Sequence, residues 1–144
     1  MKQKHPGTGR LASIVRVEDF ASPVSVDAGH YVLVMVSEKP TVALSIKTAR
    51  AWVDAGALYI CAWGPDCEQV EESFDYSSFL PEYGQELALM TTAHQDEPIE
   101  EALWFAFHCA KSVDPEQELN VVVIVVDSDL LETRCHFWLE NNKD

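Results

Sequence analysis

Basic residues are scarce in this sequence, and their scarcity excludes one class of function. The 144-residue chain holds 10 Lys and Arg against 24 Asp and Glu, which gives a formal net charge of −14 at pH 7. Between Arg50 and Lys111 there is no Lys or Arg at all, whereas the same stretch holds twelve acids. Because binding a phosphate backbone needs a basic footprint, we expect no nucleic-acid partner.

Long apolar runs are also missing. No run approaches the roughly 18 apolar residues of a membrane-spanning helix, so we expect no membrane contact. The basic start, residues 1–7, is not followed by the apolar segment of a signal peptide. Three of the four cysteines lie inside apolar patterns, as small buried thiols do. We therefore predict a cytoplasmic protein with free cysteines rather than disulfides.

The chain has the length and composition of one globular domain. It is 47% hydrophobic and 24% charged, which is typical of a folded protein and excludes a disordered chain or a coiled coil. Residues 1–10 are polar and contain two glycines and a proline, so we predict a flexible N-terminal tail. Residues 11–144 are predicted to form a single α/β domain.

Strand and helix patterns alternate from residue 31 onward. Continuous β-rich runs predict strands at 31–36, 57–62, 86–91 and 120–126, and amphipathic segments lie between and after them. This alternation implies right-handed crossovers and a parallel sheet. We predict a three-layer sandwich, Rossmann-like or flavodoxin-like, with four to five mostly parallel strands. The short apolar stretch at residues 11–17 is either the fifth, an N-terminal edge strand, or an irregular lead-in.

Ligands of open parallel sheets bind beyond the carboxyl ends of the strands, and this rule selects candidate residues before any chemistry is considered. Neither G-x-G-x-x-G nor G-x-x-x-x-G-K-[ST] occurs, so we expect no nucleotide and no other cofactor. The predicted loops after the second and third strands supply five candidates for the ligand edge, namely Trp63, Asp66, Glu68, Thr92 and Glu97.

Signals for catalysis are weaker. Cys67 follows Pro65 near the predicted start of a helix, where a thiol pKa is lowered, and His94 with Asp96 would supply a base and its orienting group. The alternative is that Cys67 is a small buried residue and that Asp96 caps the next helix. His94 and Asp96 with Asp66 or Cys67 would also make a mixed metal site, but no recognised ligand spacing is present and we expect no metal.

Two predicted helices carry candidate interaction residues. Helical spacing places Glu68, Glu71, Glu72 and Asp75 on one exposed acidic face, either as a solvated surface or as a docking site for a basic protein. The segment around Trp104 and Phe107 is apolar nearly all round, more than one sheet face covers. We therefore expect it either to be deeply buried or to meet a partner, and a homodimer is one such partner.

Three segments carry a resemblance. The runs YICAWGPDCE (59–68), MTTAHQDE (90–97) and EEALWF (100–105) resemble an uncharacterised family of small bacterial α/β domains, over about residues 30–126. The resemblance implies a bacterial cytoplasmic origin and no known activity. It adds weight to the candidates at the ligand edge, which fall within these segments.

These observations favour a small acidic interaction or regulatory domain without catalysis of its own. The missing cofactor motifs, the acidic stretch and the apolar 97–110 helix support this reading. The alternative is a small-ligand-binding or hydrolytic site in loops 63–68 and 91–97. The two readings differ in whether Asp66, Cys67, His94 and Asp96 converge on one pocket.

Overall fold

The computed structural model describes residues 2–4, 8–21, 23, 29–39, 44–78, 89–112, 114 and 116–141. In these segments, strands and helices alternate from residue 31 to residue 141, as the sequence predicts. The elements in chain order are β1 (Lys2–Lys4), β2 (Leu11–Val17), β3 (Tyr31–Val36), α1 (Ile46–Asp54), β4 (Ala57–Trp63), α2 (Cys67–Ser77), β5 (Met90–His94), α3 (Ile99–His108), β6 (Asn120–Val126) and α4 (Asp129–Asn141).

The described strands form one sheet in the order β1-β2-β6-β3-β4-β5. Neighbours from β2 to β5 are parallel, which confirms the predicted parallel α/β architecture, and β2 is the predicted N-terminal strand. β1 is antiparallel to β2, with Lys2 opposite Ser13 and Lys4 opposite Leu11. A short strand thus lies within the segment that the sequence predicts as a tail.

The third predicted strand is displaced along the chain. Residues 86–88 lie outside the described residues, and β5 continues past the predicted end at 91 to His94. The pair Thr91-Thr92 looks like a loop by its polarity, but β-branched residues suit an edge strand whose faces are partly exposed. The correction matters for the site, because Thr92 and His94 lie within the strand rather than after it.

Helices cover both faces of the sheet. Val32 and Val34 of β3 pack in a core cluster with residues of α3 and α4, whereas Leu33 and Met35 pack in a second cluster with residues of α1 and α2. Burial on both faces explains why β3 and β6 read as continuous apolar runs. The result is the predicted three-layer sandwich. None of the helices in the described segments is long and apolar enough to span a bilayer.

The strand order places a topological switch point between β3 and β6. β3 is followed by α1 on one face of the sheet, and its neighbour β6 is followed by α4 on the other face. Adjacent strands whose connections leave on opposite faces open a crevice at their carboxyl ends, where ligands of such folds bind.

Candidate functional site

A turn after β4 shapes the carboxyl edge of the sheet. Gly64 has φ +124°, and a Cβ at this position would lie 1.8 Å from the carbonyl oxygen of Ser37, the residue after β3. Only glycine allows this approach, because both the backbone conformation and the space exclude a side chain. The Ser37 N–H also donates to the Trp63 carbonyl at 3.2 Å. The ends of β3 and β4 are therefore held together.

A pocket of about 580 Å³ lies beside this turn. Trp63 and His94 are register partners at the ends of β4 and β5, so both rings lie at the carboxyl edge of the sheet. The pocket is lined by Glu38, Trp63, Gly64, Pro65, His94, Gln95, Asp96 and Glu97. Its position beyond the ends of three parallel strands is the one that sequence reasoning assigns to a ligand site.

His94 is held from both sides. Its Nδ1 lies 2.5 Å from a carboxylate oxygen of Glu97, and its Nε2 lies 2.9 Å from the Thr92 hydroxyl. The residue is only 8% exposed, and its ring packs edge-on against Phe105 with centroids 5.0 Å apart. The imidazole therefore has one fixed orientation in a largely dry environment.

The turn between β5 and α3 is fixed by a third contact. The Trp63 indole N–H donates to the Glu97 carbonyl at 2.7 Å. Asp96, one residue earlier, has φ +58°, a left-handed conformation that asparagine and aspartate tolerate better than other residues. Asp96 does not cap α3, since the capping position is Pro98 and no side chain bonds there. Asp96 is instead an exposed carboxylate at the pocket.

The charges around the pocket are of one sign. Glu38, Asp96 and Glu97 contribute three carboxylates, and the described residues that line it include no lysine or arginine. Lys39, the residue after Glu38, places its amine 2.5 Å from Asp127. Arg134, whose charge interacts with that of Glu38, is hydrogen-bonded to Glu100. Glu97 is hydrogen-bonded to His94, whereas Glu38 and Asp96 form no ion pair within the described segments.

Two of the predicted catalytic residues do not join the pocket. Asp66 and Cys67 are absent from its lining, and Cys67 is 2% exposed in the core beneath α1 and α2. Burial first, and Glu68 second, raise the pKa of the Cys67 thiol, the opposite of what a reactive thiolate needs. Of the four residues proposed to converge, only His94 and Asp96 do so, and the geometry does not support Cys67 as a nucleophile.

The strand ends at the switch point hold an ion-pair cluster that sequence reasoning missed. Asp127 pairs with Lys39 of the β3 end and, at 3.1 Å, with Arg16 of β2, which also binds Asp129. Hydrogen bonds from Lys39 and then Arg16 lower the pKa of Asp127. These residues come from three distant parts of the chain, and only the strand order, which periodicity does not reveal, brings them together.

The acidic residues predicted on α2 form the expected face. Glu68, Glu72 and Asp75 are exposed and Glu71 is half-buried. Burial, followed by the charges of Asp75 and Glu68, raises the pKa of Glu71. The Asp75 carboxylate also accepts a hydrogen bond from Thr91 at 2.6 Å.

α3 is partly buried and partly open. Phe107 is buried against Trp138 of α4, whereas Trp104 is 43% exposed and stacks on His108. A groove of about 460 Å³ runs along α4 beside Phe137, which is 66% exposed. The groove is lined by Glu100, Thr133, Arg134, Phe137, Trp138 and Asn141.

α2 and α3 cover opposite faces of the sheet. The two interaction surfaces predicted from the sequence, the acidic residues of α2 and the aromatic residues of α3, are therefore separate. A single small partner segment does not reach both.

Among the described residues, no group of three or more His, Cys, Asp or Glu side chains is placed to hold a metal ion. No curated protein and no solved structure matches the chain. A family model described as a domain of unknown function, DUF7684, matches residues 12–139. This match covers the described sheet except β1 and the first residue of β2, and it covers the residues of the pocket. The chain therefore belongs to the uncharacterised DUF7684 family.

Proposed function

We infer that the protein is a binding domain whose pocket at the carboxyl edge of β3, β4 and β5 takes a small organic cation. The observation that carries this proposal is the set of three carboxylates, Glu38, Asp96 and Glu97, around a cavity without lysine or arginine in its described lining. A positively charged ligand relieves the repulsion among these groups, and an anionic ligand adds to it.

The strength of electrostatic attraction in and out of water indicates which kind of cation the pocket favours. Two unit charges 4 Å apart attract by about 1 kcal/mol in bulk water and about 4 kcal/mol at an effective dielectric constant near 20. A cation that gives up its water easily gains more of this attraction. Trp63 lines the same pocket, and an indole is the side chain that attracts desolvated cations best. A methylated ammonium therefore suits the pocket better than a strongly hydrated primary amine.

The test is a titration with tetramethylammonium, followed by the indole N–H resonances of the four tryptophans. We expect saturable movement of the Trp63 resonance, because its N–H bonds to the turn that carries Glu97. tert-Butanol, a neutral molecule of similar shape, is the control and is expected to leave this resonance in place. Equal responses to both probes, or no response to tetramethylammonium, would contradict the proposal.

A charge variant tests the site itself. Replacing one of three carboxylates at a partly solvated site removes about 1 kcal/mol of attraction, so Glu38→Gln is expected to weaken tetramethylammonium binding about five-fold. Glu140→Gln removes the same charge from an exposed position on α4 and serves as the matched control. Equal weakening by both variants would show that net charge rather than the pocket attracts the cation.

The second candidate is an interaction domain for a basic protein, favoured by the exposed Phe137 beside the α3–α4 groove. A net charge of −14 opposes the docking of a second copy and favours a basic partner. A synthetic amphipathic Lys/Leu helix is the probe. Phe137→Ser is expected to weaken its binding, whereas Ile46→Ser, at an exposed apolar position on the opposite face, is not. Equal binding by both variants would indicate charge attraction alone. Sedimentation equilibrium tests the predicted homodimer separately.

A further inference from the structure

The geometry points to an activity at Thr92: its hydroxyl, together with His94 and Glu97, is arranged to act as the nucleophile in acyl transfer from small activated esters. This inference goes beyond cation binding and does not depend on it. It also departs from the expectation that the domain has no catalysis of its own. Thr92 is assigned to the ligand edge from the sequence, but its partners become visible only in the structure.

The distances are those of a nucleophile, a base and an orienting group. Thr92 Oγ1 lies 2.9 Å from His94 Nε2, and His94 Nδ1 lies 2.5 Å from the Glu97 carboxylate. Such a chain is recognised by its geometry and not by the order of its members in the sequence. Thr92 and His94 are two residues apart on β5, so the strand directs both side chains to the face covered by α3.

The pairing of Nδ1 with a carboxylate indicates which atoms carry the protons. An ionised carboxylate accepts hydrogen bonds and does not donate them, so the Nδ1–H of a neutral His94 donates to Glu97 at 2.5 Å. Nε2 is then an acceptor, and the Thr92 hydroxyl 2.9 Å away donates to it. This is the tautomer that a general base needs.

The reaction balances with water as the only co-reactant. Thr92 Oγ1 attacks the carbonyl carbon of the ester while His94 Nε2 takes the hydroxyl proton. The tetrahedral intermediate collapses, the bond to the leaving oxygen breaks, and His94 returns the proton to that oxygen. A water molecule, deprotonated by His94, then cleaves the acyl-threonine ester and restores the hydroxyl and the free acid.

Carboxylates near His94 stabilise the positive charge that this residue acquires when Thr92 attacks the ester. The imidazolium formed during attack lies against Glu97, and Asp96 and Glu38 line the adjoining pocket. His94 is largely buried, so the charge of the directly bonded Glu97 acts on it with less screening than in bulk water, whereas Glu38 and Asp96 are exposed and contribute less. The same carboxylates disfavour anionic substrates. Thr92 is only partly exposed, which limits the acyl group to a small one.

The probe is p-nitrophenyl acetate, with release of p-nitrophenolate and intact mass followed together. Because the exposed thiol of Cys109 also attacks activated esters, the assay uses Cys109→Ala protein. In this protein we expect a burst of nitrophenolate and one acetyl group per chain, located on Thr92 by peptide mass spectrometry. Thr92→Val keeps the shape and β-propensity of the side chain and is expected to abolish both signals. Thr92→Ser keeps the hydroxyl and is expected to retain them, which separates loss of the nucleophile from loss of the fold.

Glu97→Gln tests the base and its orienting group. The carboxamide preserves size but not charge, and because a positioned general base contributes about 10²-fold or more, the burst is expected to slow by about that factor. This slowing is expected only in proteins that retain the Thr92 hydroxyl. Acetylation of lysine or histidine side chains without modification of Thr92, or an unchanged burst in Thr92→Val, would overturn the assignment.

Discussion

A Cβ at Gly64 would lie 1.8 Å from the Ser37 carbonyl oxygen, so the turn after β4 rests directly on the backbone that follows β3. This contact holds the ends of β3 and β4 together. Trp63 and Pro65 flank Gly64, Glu38 follows Ser37, and all three line the pocket. The backbone conformation at one glycine therefore decides whether Glu38 lies beside the β4 turn.

The contact predicts a large difference between two glycine substitutions. Gly64→Ala is expected to lower the free energy of unfolding by about 3 kcal/mol or more, since it adds a backbone clash to a strained φ. Gly29→Ala also places alanine at positive φ but meets no atom within 4 Å, so it is expected to cost only about 1–2 kcal/mol. Urea unfolding of both variants measures the difference. Equal losses would show that the Gly64–Ser37 approach is not required.

Much of the fold follows from local patterns. β3 and β6 are apolar without interruption because helices cover both of their faces, and this local signal is readable in the sequence. The order of the strands in the sheet, by contrast, depends on contacts between distant parts of the chain. β6 lies between β2 and β3 although it is the last strand in the chain, so no window of sequence predicts that Asp127 meets Lys39 and Arg16.

The candidate site is likewise only partly predictable from the local sequence. The rule for parallel sheets selects the edge at which the pocket lies, and with it Trp63, His94 and Glu97. It does not distinguish Cys67, whose position at a helix start resembles that of a reactive thiol although its side chain points into the core. Helical spacing alone does not settle that choice, because the first turn of α2 has both buried and exposed positions.

The ion pair between α3 and α4 predicts a component of acid sensitivity. Arg134 donates two hydrogen bonds to Glu100, at 2.9 and 2.6 Å, and these lower the pKa of Glu100 from 4.5. An acid with a lowered folded pKa stabilises the protein above its unfolded pKa and loses that contribution as pH falls through the folded value.

We therefore expect Glu100→Gln to reduce the free energy of unfolding at pH 7 by about 1 kcal/mol or less, as for partly exposed pairs, and to have little effect at pH 2. Glu101→Gln, on the same turn but exposed, is the matched control. Urea unfolding at both pH values is the measurement. A loss that is equal at pH 7 and pH 2 would mean that the ionised pair does not stabilise the contact.

Ionisation of Glu71 is expected to lower the free energy of unfolding, which is the opposite of the effect of Glu100. Its folded pKa is raised, so the folded state binds its proton more readily and the carboxylate destabilises the protein as pH rises through that value. Glu71→Gln is expected to increase the free energy of unfolding at pH 7 by about 0.5 kcal/mol or less, the scale of like-charge pairs on a helix. The gain is expected to vanish at pH 3. A gain that persists there would indicate a packing effect instead.

Thiol accessibility tests the placement of the cysteines. Cys109 is exposed, whereas Cys61, Cys67 and Cys135 are buried. Burial raises the pKa of Cys135 to about 12 and also raises that of Cys67, so neither forms a thiolate readily. Ellman's reagent is expected to titrate one thiol in the native protein and four in denaturant, and none natively in Cys109→Ala. Rapid labelling of Cys67 in the native protein would contradict its buried position.

The central claim is that the pocket at the carboxyl edge of β3, β4 and β5 is where a small cation binds. The most direct measurement is the set of intermolecular nuclear Overhauser effects between the methyl protons of bound tetramethylammonium and the protein. We predict contacts to the ring protons of Trp63 and His94, which line the pocket from neighbouring strands. Contacts to Trp104 and Phe137 instead, or none to Trp63 and His94 at saturating cation, would contradict the claim.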